Sequence, residues 1–221
     1  MIATTEYSAA RYNMVESQLR PNKVSDLRLV DAFLAVPRDQ FVPPALRGVA
    51  YVDKAIPLGN GRFLLEPMVL GRLLQEARIA ATDLVLDVGT ATGYSAAIIG
   101  QIAATVVAVE SDAALAAQAN QAMQTLGVDN AAIVQGTLAA GWAKQGPYDV
   151  IVLEGAVAAV PQALLDQLAE GGRLVTVLLP ESGVAVARLY QKIGGTISSR
   201  TLFDASADLL PGMEPKAAFA F

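Results

Sequence analysis

The chain has 221 residues, enough for one α/β domain with a sizeable core and too few for two ordinary ones. Its 16 Lys and Arg stand against 21 Asp and Glu, a net charge of −5 with no basic run, which argues against a nucleic-acid backbone as a partner. The chain has no His and no Cys, which excludes Ser-His-Asp and Cys-His nucleophiles, the common zinc sites and any disulfide framework.

Apolar residues recur at helical spacing over 9–19 and 27–35, and a Pro-rich passage follows through Pro37, Pro43, Pro44 and Pro57. A further helix over 66–78 leads into the first strand, so residues 1–80 read as a helical and loop appendage. From Leu84 onward, strand-like runs at 84–88, 105–110, 131–135, 148–153 and 173–179 alternate with helical patterns at 94–103, 112–126 and 161–168. The strands are rich in Val, Ile and Leu without polar alternation, as parallel strands covered on both faces must be. Asp112 is a candidate N-cap, and Gly127 and the Gly171-Gly172 pair supply helix stops.

Such a succession closes as a doubly wound, mostly parallel open sheet with ligands at the C-terminal ends of its strands. Residues 81–179 form the cofactor-binding core in this reading. Residues 180–221 hold two closing strands, 184–190 and 196–203, and an irregular tail from 204, the whole being one domain. The run from Val88 to Val109 has 22 residues without a charge, but its glycines and hydroxyls divide it into turn, helix and strand rather than a membrane span. Glu6 and Arg11 precede any apolar stretch, so no secretory signal is read, and the cytoplasm is the expected location.

The most informative residues are Val85 to Tyr94 (V-L-D-V-G-T-A-T-G-Y) and Val106 to Glu110 (V-V-A-V-E). Each reads as a buried strand, the first ending in a glycine turn that opens a helix and the second in an acid. Gly89 and Gly93 let the backbone turn tightly and approach a ligand, and Glu110 stands where a carboxylate accepts both hydroxyls of a ribose. A dinucleotide fingerprint needs G-x-G-x-x-G; here only G-x-x-x-G precedes the bulky Tyr94, which disfavours a nicotinamide-dependent oxidoreductase. The acid-x-G-x-x-x-G turn resembles the S-adenosylmethionine pattern of class I methyltransferases, whose ligand has no phosphate. Asp87, Gly89, Thr90, Gly93 and Glu110 are the cofactor residues on this reading.

The preceding residues narrow the resemblance. Met14-Val15-Glu16, Gln18-Leu19-Arg20, Val36-Pro37-Arg38-Asp39-Gln40-Phe41-Val42-Pro43, Ala50-Tyr51-Val52-Asp53 and Ile56-Pro57-Leu58-Gly59 resemble the protein-L-isoaspartate O-methyltransferase family in order and spacing. The likeness continues through 86–97, 148–152 and 161–175, and the C-terminal part matches loosely. It implies a Rossmann-like methyltransferase fold and transfer of a methyl group from S-adenosylmethionine to the free α-carboxylate of an L-isoaspartyl residue. The implied partners are damaged proteins or peptides bearing that carboxylate. An ionised carboxylate and an activated methyl need alignment more than proton transfer, which agrees with a chain lacking His.

Three departures from the family pattern concern the acceptor and the adenine. Where the family writes G-x-G-Q-T-I-S-x-P, this chain has Gly59-Asn60-Gly61-Arg62-Phe63-Leu64-Leu65-Glu66-Pro67, so both substrate-holding hydroxyls are absent and Leu65 stands in one place. Arg62 reads either as a replacement donor or, favoured, as a solvated surface charge. The family's Gly-Asp-Gly beside the adenine is Gly136-Thr137-Leu138, and its Val-Thr-Ala after the fourth strand is Leu153-Glu154-Gly155. Thr137 keeps an acceptor and Leu138 would line the ring. Glu154 reads as a solvated strand-end residue, a partner of Arg62 or a general base, the first two favoured together. Arg62, Leu65 and Glu154 are thus the acceptor-side candidates. A diverged methyltransferase with another acceptor, and a non-catalytic cofactor-binding module, remain the competing readings; the oligomeric state is not legible.

Overall fold

The computed structural model describes residues 3–180 and 183–215, so the end of the tail lies outside the described residues. Its elements are α1 (Ala3–Met14), α2 (Leu27–Ala35), β1 (Ile56–Gly59), β2 (Arg62–Leu64), α3 (Pro67–Ala77), β3 (Leu84–Val88), α4 (Tyr94–Gly100), β4 (Thr105–Glu110), α5 (Ala113–Leu126), β5 (Ala131–Gln135), β6 (Tyr148–Val157), α6 (Gln162–Asp166), β7 (Leu168–Leu178), β8 (Val186–Ile193) and β9 (Thr196–Asp204). Strands β3 to β9 form one seven-stranded sheet in the order β5-β4-β3-β6-β7-β8-β9. The first five positions are parallel; β8 runs antiparallel to β7, and β9 to β8. This is the doubly wound, mostly parallel open sheet that the residue pattern predicts, and the Rossmann-like arrangement that the family resemblance implies.

Successive residues of the central strands enter different cores, as a two-residue side-chain period requires. Val85, Val106, Ala108, Val150, Val152 and Val175 join one cluster with α2, α3 and α4, and Leu86, Val88, Val107, Val109, Ile151 and Leu174 join a second cluster with Leu138 and Leu164. Both faces are therefore buried, which is why these strands carry no polar alternation. Asp112 caps α5 by accepting from the amides of Ala114 and Leu115, and Gly127 ends the helix at φ +65°. The charge-free run from Val88 divides into turn, α4 and β4 as expected; among the described residues no helix is long and apolar enough to cross a membrane.

Several elements differ from the sequence reading, among them β7, which begins at Leu168 so that Gly171-Gly172 lies inside a strand and is not the stop of α6, which ends at Asp166. The helix expected over 9–19 is α1 followed by a π-helical turn, Val15–Leu19, where the Ser17 hydroxyl donates to the Asn13 carbonyl at 2.6 Å and competes with the helix ladder. A small hairpin, β1 with β2, stands in what reads as loop. Strand β6 does not end at Leu153 but runs to Val157 through a bulge between Val152 and Ala156. The tail is irregular yet pinned: the Leu210 amide donates to the Ala156 carbonyl at 2.9 Å, and the Ala156 amide to the Asp208 carbonyl at 2.8 Å. Beyond Val88 the edge of β6 has lost β3 as neighbour, and the tail covers it.

The N-terminal layer packs against the start of α4. Phe33 and Phe41 meet the Tyr94 ring edge-on, at centroid distances of 6.3 and 5.3 Å, and the Arg38 guanidinium lies 5.0 Å from its centroid. The aromatic ring that spoils a dinucleotide pattern is thus the anchor of the appendage.

Candidate functional site

The turn after β3 places its glycines and acids at the C-terminal edge of the sheet. Gly89 and Gly93 have φ of +82° and +92°, values that residues with a Cβ adopt at a cost. Their roles differ. A Cβ on Gly93 would lie 3.0 Å from the Ala119 Cβ, so this glycine lets α4 pack on α5, whereas a Cβ on Gly89 would meet Leu210 at 2.9 Å and the Arg62 guanidinium at 3.0 Å, facing the crevice. Thr90 is buried, its hydroxyl 3.4 Å from that of Ser95.

Asp87 is fully buried between β4 and β6, with Ala108 and Val152 as its neighbours across the ladder. The Ser95 hydroxyl donates to Oδ2 at 2.7 Å, while Oδ1 has no partner. Burial raises its pKa to about 6, against the lowering effect of the Ser95 and Thr90 hydroxyls.

Glu110 is also fully buried, and all of its acceptor capacity is directed. Oε1 accepts from the amides of Ser111 at 2.8 Å and Asp112 at 3.0 Å; Oε2 accepts from the Ala91 amide at 2.8 Å and from Arg62 Nη2 at 2.9 Å. Arg62 is therefore not a solvated charge. It projects from β2 into the crevice, 3% exposed, and the same Nη2 donates to the Gly89 carbonyl at 2.6 Å. The hairpin turn is tied down beside it, where the Asn60 amide donates to Asp112 at 2.8 Å.

Glu154 also departs from expectation. The bulge in β6 turns it inward, leaving it 7% exposed with Oε1 unpartnered, and Arg62 pairs with Glu110 instead of with it. Burial and then the charge of Asp87 push the Glu154 carboxyl well above the usual range, toward its neutral form. Leu65 is buried and lines, with Arg62, Phe63, Glu154 and Leu210, a nearly filled space of about 10 Å³. Thr137 and Leu138 lie apart from these, beside a recess of about 500 Å³ bounded also by Ser111, Gln135 and Pro211, with Thr137 exposed and Leu138 buried.

Three contributors escaped sequence reasoning. Arg38 is fully buried, donating Nε to the Ala50 carbonyl at 2.8 Å and Nη2 to the Leu65 carbonyl at 2.6 Å, so it braces the acceptor loop from below. The Pro-Arg-x-x-Phe-Val-Pro run was its available signal. Ser95, the second residue of α4, orients Asp87. Leu210 comes from the tail, and no local pattern marks it. Among the described residues, seven buried side-chain polar atoms lack a partner, and five belong to Arg38, Arg62, Asp87, Tyr94 and Glu154. Arg38 and Tyr94 face each other in the N-terminal layer, whereas Arg62, Asp87 and Glu154 gather at the end of the sheet; because native interiors otherwise satisfy such atoms, these three are the candidates for a ligand's contacts.

In kind, these residues suit a ligand with a ribose and a cationic amino acid part: a glycine turn, two buried carboxylates, and a recess of mixed polarity beside them. In space they do not yet admit it, because Arg62 and Leu210 stand where Gly89 would be approached.

Comparison with known proteins agrees with the motif. Among solved structures, one described as protein-L-isoaspartate O-methyltransferase superposes with a TM-score of 0.80 at 25% identity, covering 91% of this chain and 66% of that one. A Plasmodium falciparum protein described as a putative protein-L-isoaspartate O-methyltransferase, in complex with S-adenosyl-L-homocysteine, shares the fold at a TM-score of 0.77 and 19% identity, covering 92% of this chain and 97% of its own. Protein-L-isoaspartate O-methyltransferases of Koribacter versatilis, 38% identical over 90% of both chains, and of Methanoculleus marisnigri, 36% identical over 83% of this chain and 84% of its own, are similar along most of the length. A family model matches residues 10–205, and on that extent of likeness the chain belongs to the protein-L-isoaspartate(D-aspartate) O-methyltransferase family.

Proposed function

We propose that this chain methylates the α-carboxylate of L-isoaspartyl residues in damaged proteins, with S-adenosylmethionine as methyl donor. The observation that carries the reading is the turn Asp87 to Gly93 with Glu110, set at the C-terminal edge of the parallel sheet in a chain of this family. When bound, the donor supplies a sulfonium methyl: a carboxylate oxygen forms the new C–O bond as the C–S bond breaks, leaving a neutral thioether and an ester. Glu110 would hold the ribose hydroxyls, Asp87 and Gly89 the amino acid part, Gly93 and Thr90 the turn's shape, and Thr137 and Leu138 the adenine.

On the acceptor side, Arg62, Leu65 and Glu154 line the space that the substrate carboxylate would enter. No side chain here has to take a proton, because the nucleophile is already ionised; the protein's work is alignment and exclusion of water. Residues 1–80, 81–179 and 180–221 work as one unit in this reading, supported by the hairpin's Arg62 and the tail's Leu210 both reaching the turn of the core. A cytoplasmic location and the absence of a nucleic-acid partner accord with repair of soluble proteins and with the net charge of −5.

A second reading, a different methyl acceptor, is favoured by one observation: Glu154 places a buried carboxyl with an unpartnered oxygen where the substrate carboxylate would approach, so that two carboxyl groups would share the space. Methyl transfer to an isoaspartyl peptide, measured beside its aspartyl twin, separates the two. Selective methylation of the isoaspartyl form is the expected result, and equal or absent transfer with cofactor bound would transfer support to the second reading.

A further inference from the structure

The Arg62 guanidinium occupies two acceptors that a ribosyl amino acid ligand would need, a Glu110 oxygen and the Gly89 carbonyl, through one nitrogen. It is a donor of this chain placed where donors of a ligand belong. The strand pleat turns Arg62 and Leu64 toward the buried side, and the guanidinium reaches Glu110 through its own long side chain, so it can withdraw from the carboxylate without breaking a backbone hydrogen bond of the hairpin. The burial of an arginine is costly unless it is paired and hydrogen-bonded throughout, yet Arg62 Nε has no partner. The guanidinium therefore sits in a site that does not fully satisfy it.

Glu110 would not miss it in the same degree. Three backbone amides, of Ala91, Ser111 and Asp112, still point at its two oxygens when Arg62 leaves. Displaced from Glu110, the guanidinium remains tethered by β2 to the small space bounded by Leu65 and by Glu154, whose carboxyl is pushed by burial toward its neutral form. The charge it then seeks is an anion brought from outside.

We infer that Arg62 is a tethered occupant of the ribose-binding carboxylate which, once displaced by cofactor, becomes the cation that positions the acceptor carboxylate, so that cofactor binds first and acceptor second. The acceptor half of this inference rests on the carboxylate-methylating activity proposed above. It gives the divergent loop a function: the hydroxyls absent at positions 63 and 65 are replaced by a charge that is withheld until cofactor is present. Arg62 acts here as a positioning residue and exchanges no proton.

The test uses S-adenosylhomocysteine and an isoaspartyl peptide with the full chain and its R62A and R62K variants, each checked for folding by circular dichroism. By calorimetry, R62A is expected to bind S-adenosylhomocysteine about tenfold more tightly than the wild type, the usual size of a coupling between two occupants, with R62K between them. Wild-type chain is expected to bind the peptide about tenfold more tightly with S-adenosylhomocysteine present than without it, and R62A to lose that difference. In steady state, R62A should raise KM for the peptide while kcat changes little, and R62K should restore part of the loss.

Unchanged or weaker S-adenosylhomocysteine binding by R62A would overturn the displacement. Equal peptide affinity with and without S-adenosylhomocysteine in the wild type would overturn the acceptor role. Should the wild type bind S-adenosylhomocysteine yet methylate no isoaspartyl peptide, the proposed activity fails, while the ratio of R62A to wild-type affinity for S-adenosylhomocysteine still decides the displacement.

Discussion

The two sides of the crevice are built by different means. On the cofactor side, the turn of β3 and the end of β4 are held by backbone: Gly89 and Gly93 at positive φ, and three amides aimed at Glu110. On the acceptor side, the hairpin β1–β2, the bulge of β6 and the tail meet through side chains, with Arg62, Leu210 and Glu154 filling the space between them. Backbone sites are rigid and nearly fixed by local sequence; side-chain sites are cheap to alter. This division explains how a family member keeps its cofactor turn while its acceptor loop departs from the pattern.

The sharpest way to break that division is to compare the two halves of the buried ion pair. Glu110→Ala strips Arg62 and three amides of their acceptor and should cost about 3–5 kcal/mol of stability in urea melts, the usual penalty for orphaning a buried charge. Arg62→Ala leaves Glu110 with its backbone donors and should cost about 1–2 kcal/mol. Equal losses would mean that the backbone amides do not hold Glu110 by themselves.

Gly93→Val tests whether the turn is set by packing rather than by the ligand. Positive φ and the 3.0 Å approach to Ala119 should lower stability by about 2–4 kcal/mol with no ligand present. A variant as stable as the wild type that merely fails to bind cofactor would restore the simpler view, in which Gly93 only makes room.

Asp87→Asn addresses the cost of the buried acid. A carboxyl whose folded pKa is raised from 3.8 to about 6 binds more protons folded than unfolded, so its contribution is most favourable below about pH 4 and is lost as pH rises through about 6. The Asn variant should therefore be more stable than the wild type at pH 7.5, by about 2–3 kcal/mol, with the gap closing toward pH 4 in a series of thermal melts. A gap that is constant with pH would show that Asp87 ionises in its ordinary range.

The smallest effect is expected on the acceptor side. Leu65→Ser with Glu154→Thr restores a hydroxyl donor and removes a carboxyl beside the incoming anion, and should raise methyl transfer to an isoaspartyl peptide by about 1 kcal/mol of barrier, or a few-fold. Each change alone should do less, and because both act on one bound group a double-mutant cycle measures their coupling. No gain in the double variant, with cofactor affinity unchanged, would place acceptor selection elsewhere, Arg62 first.

The chain order of residues determined a good deal here without any tertiary information. Apolar runs mark β3, β4 and β5 at their observed ends, and a glycine at positive φ, Gly89, closes β3, because a strand covered on both faces leaves an uninterrupted apolar signature, as in β3 and β4, and a tight turn leaves a glycine. Asp87, Gly89, Gly93 and Glu110 were legible for the same reason: each is placed by its own strand or turn. Arg62, Glu154 and Leu210 were not. Arg62 reads as a surface charge until folding sets β2 beside the turn and brings it to Glu110, 48 residues away. Glu154 reads as a strand end until the bulge turns it inward, and Leu210 as irregular tail until the unpaired edge of β6 recruits it. Whether a charge is solvated or buried is a property of what packs over it, and only the tertiary structure supplies that.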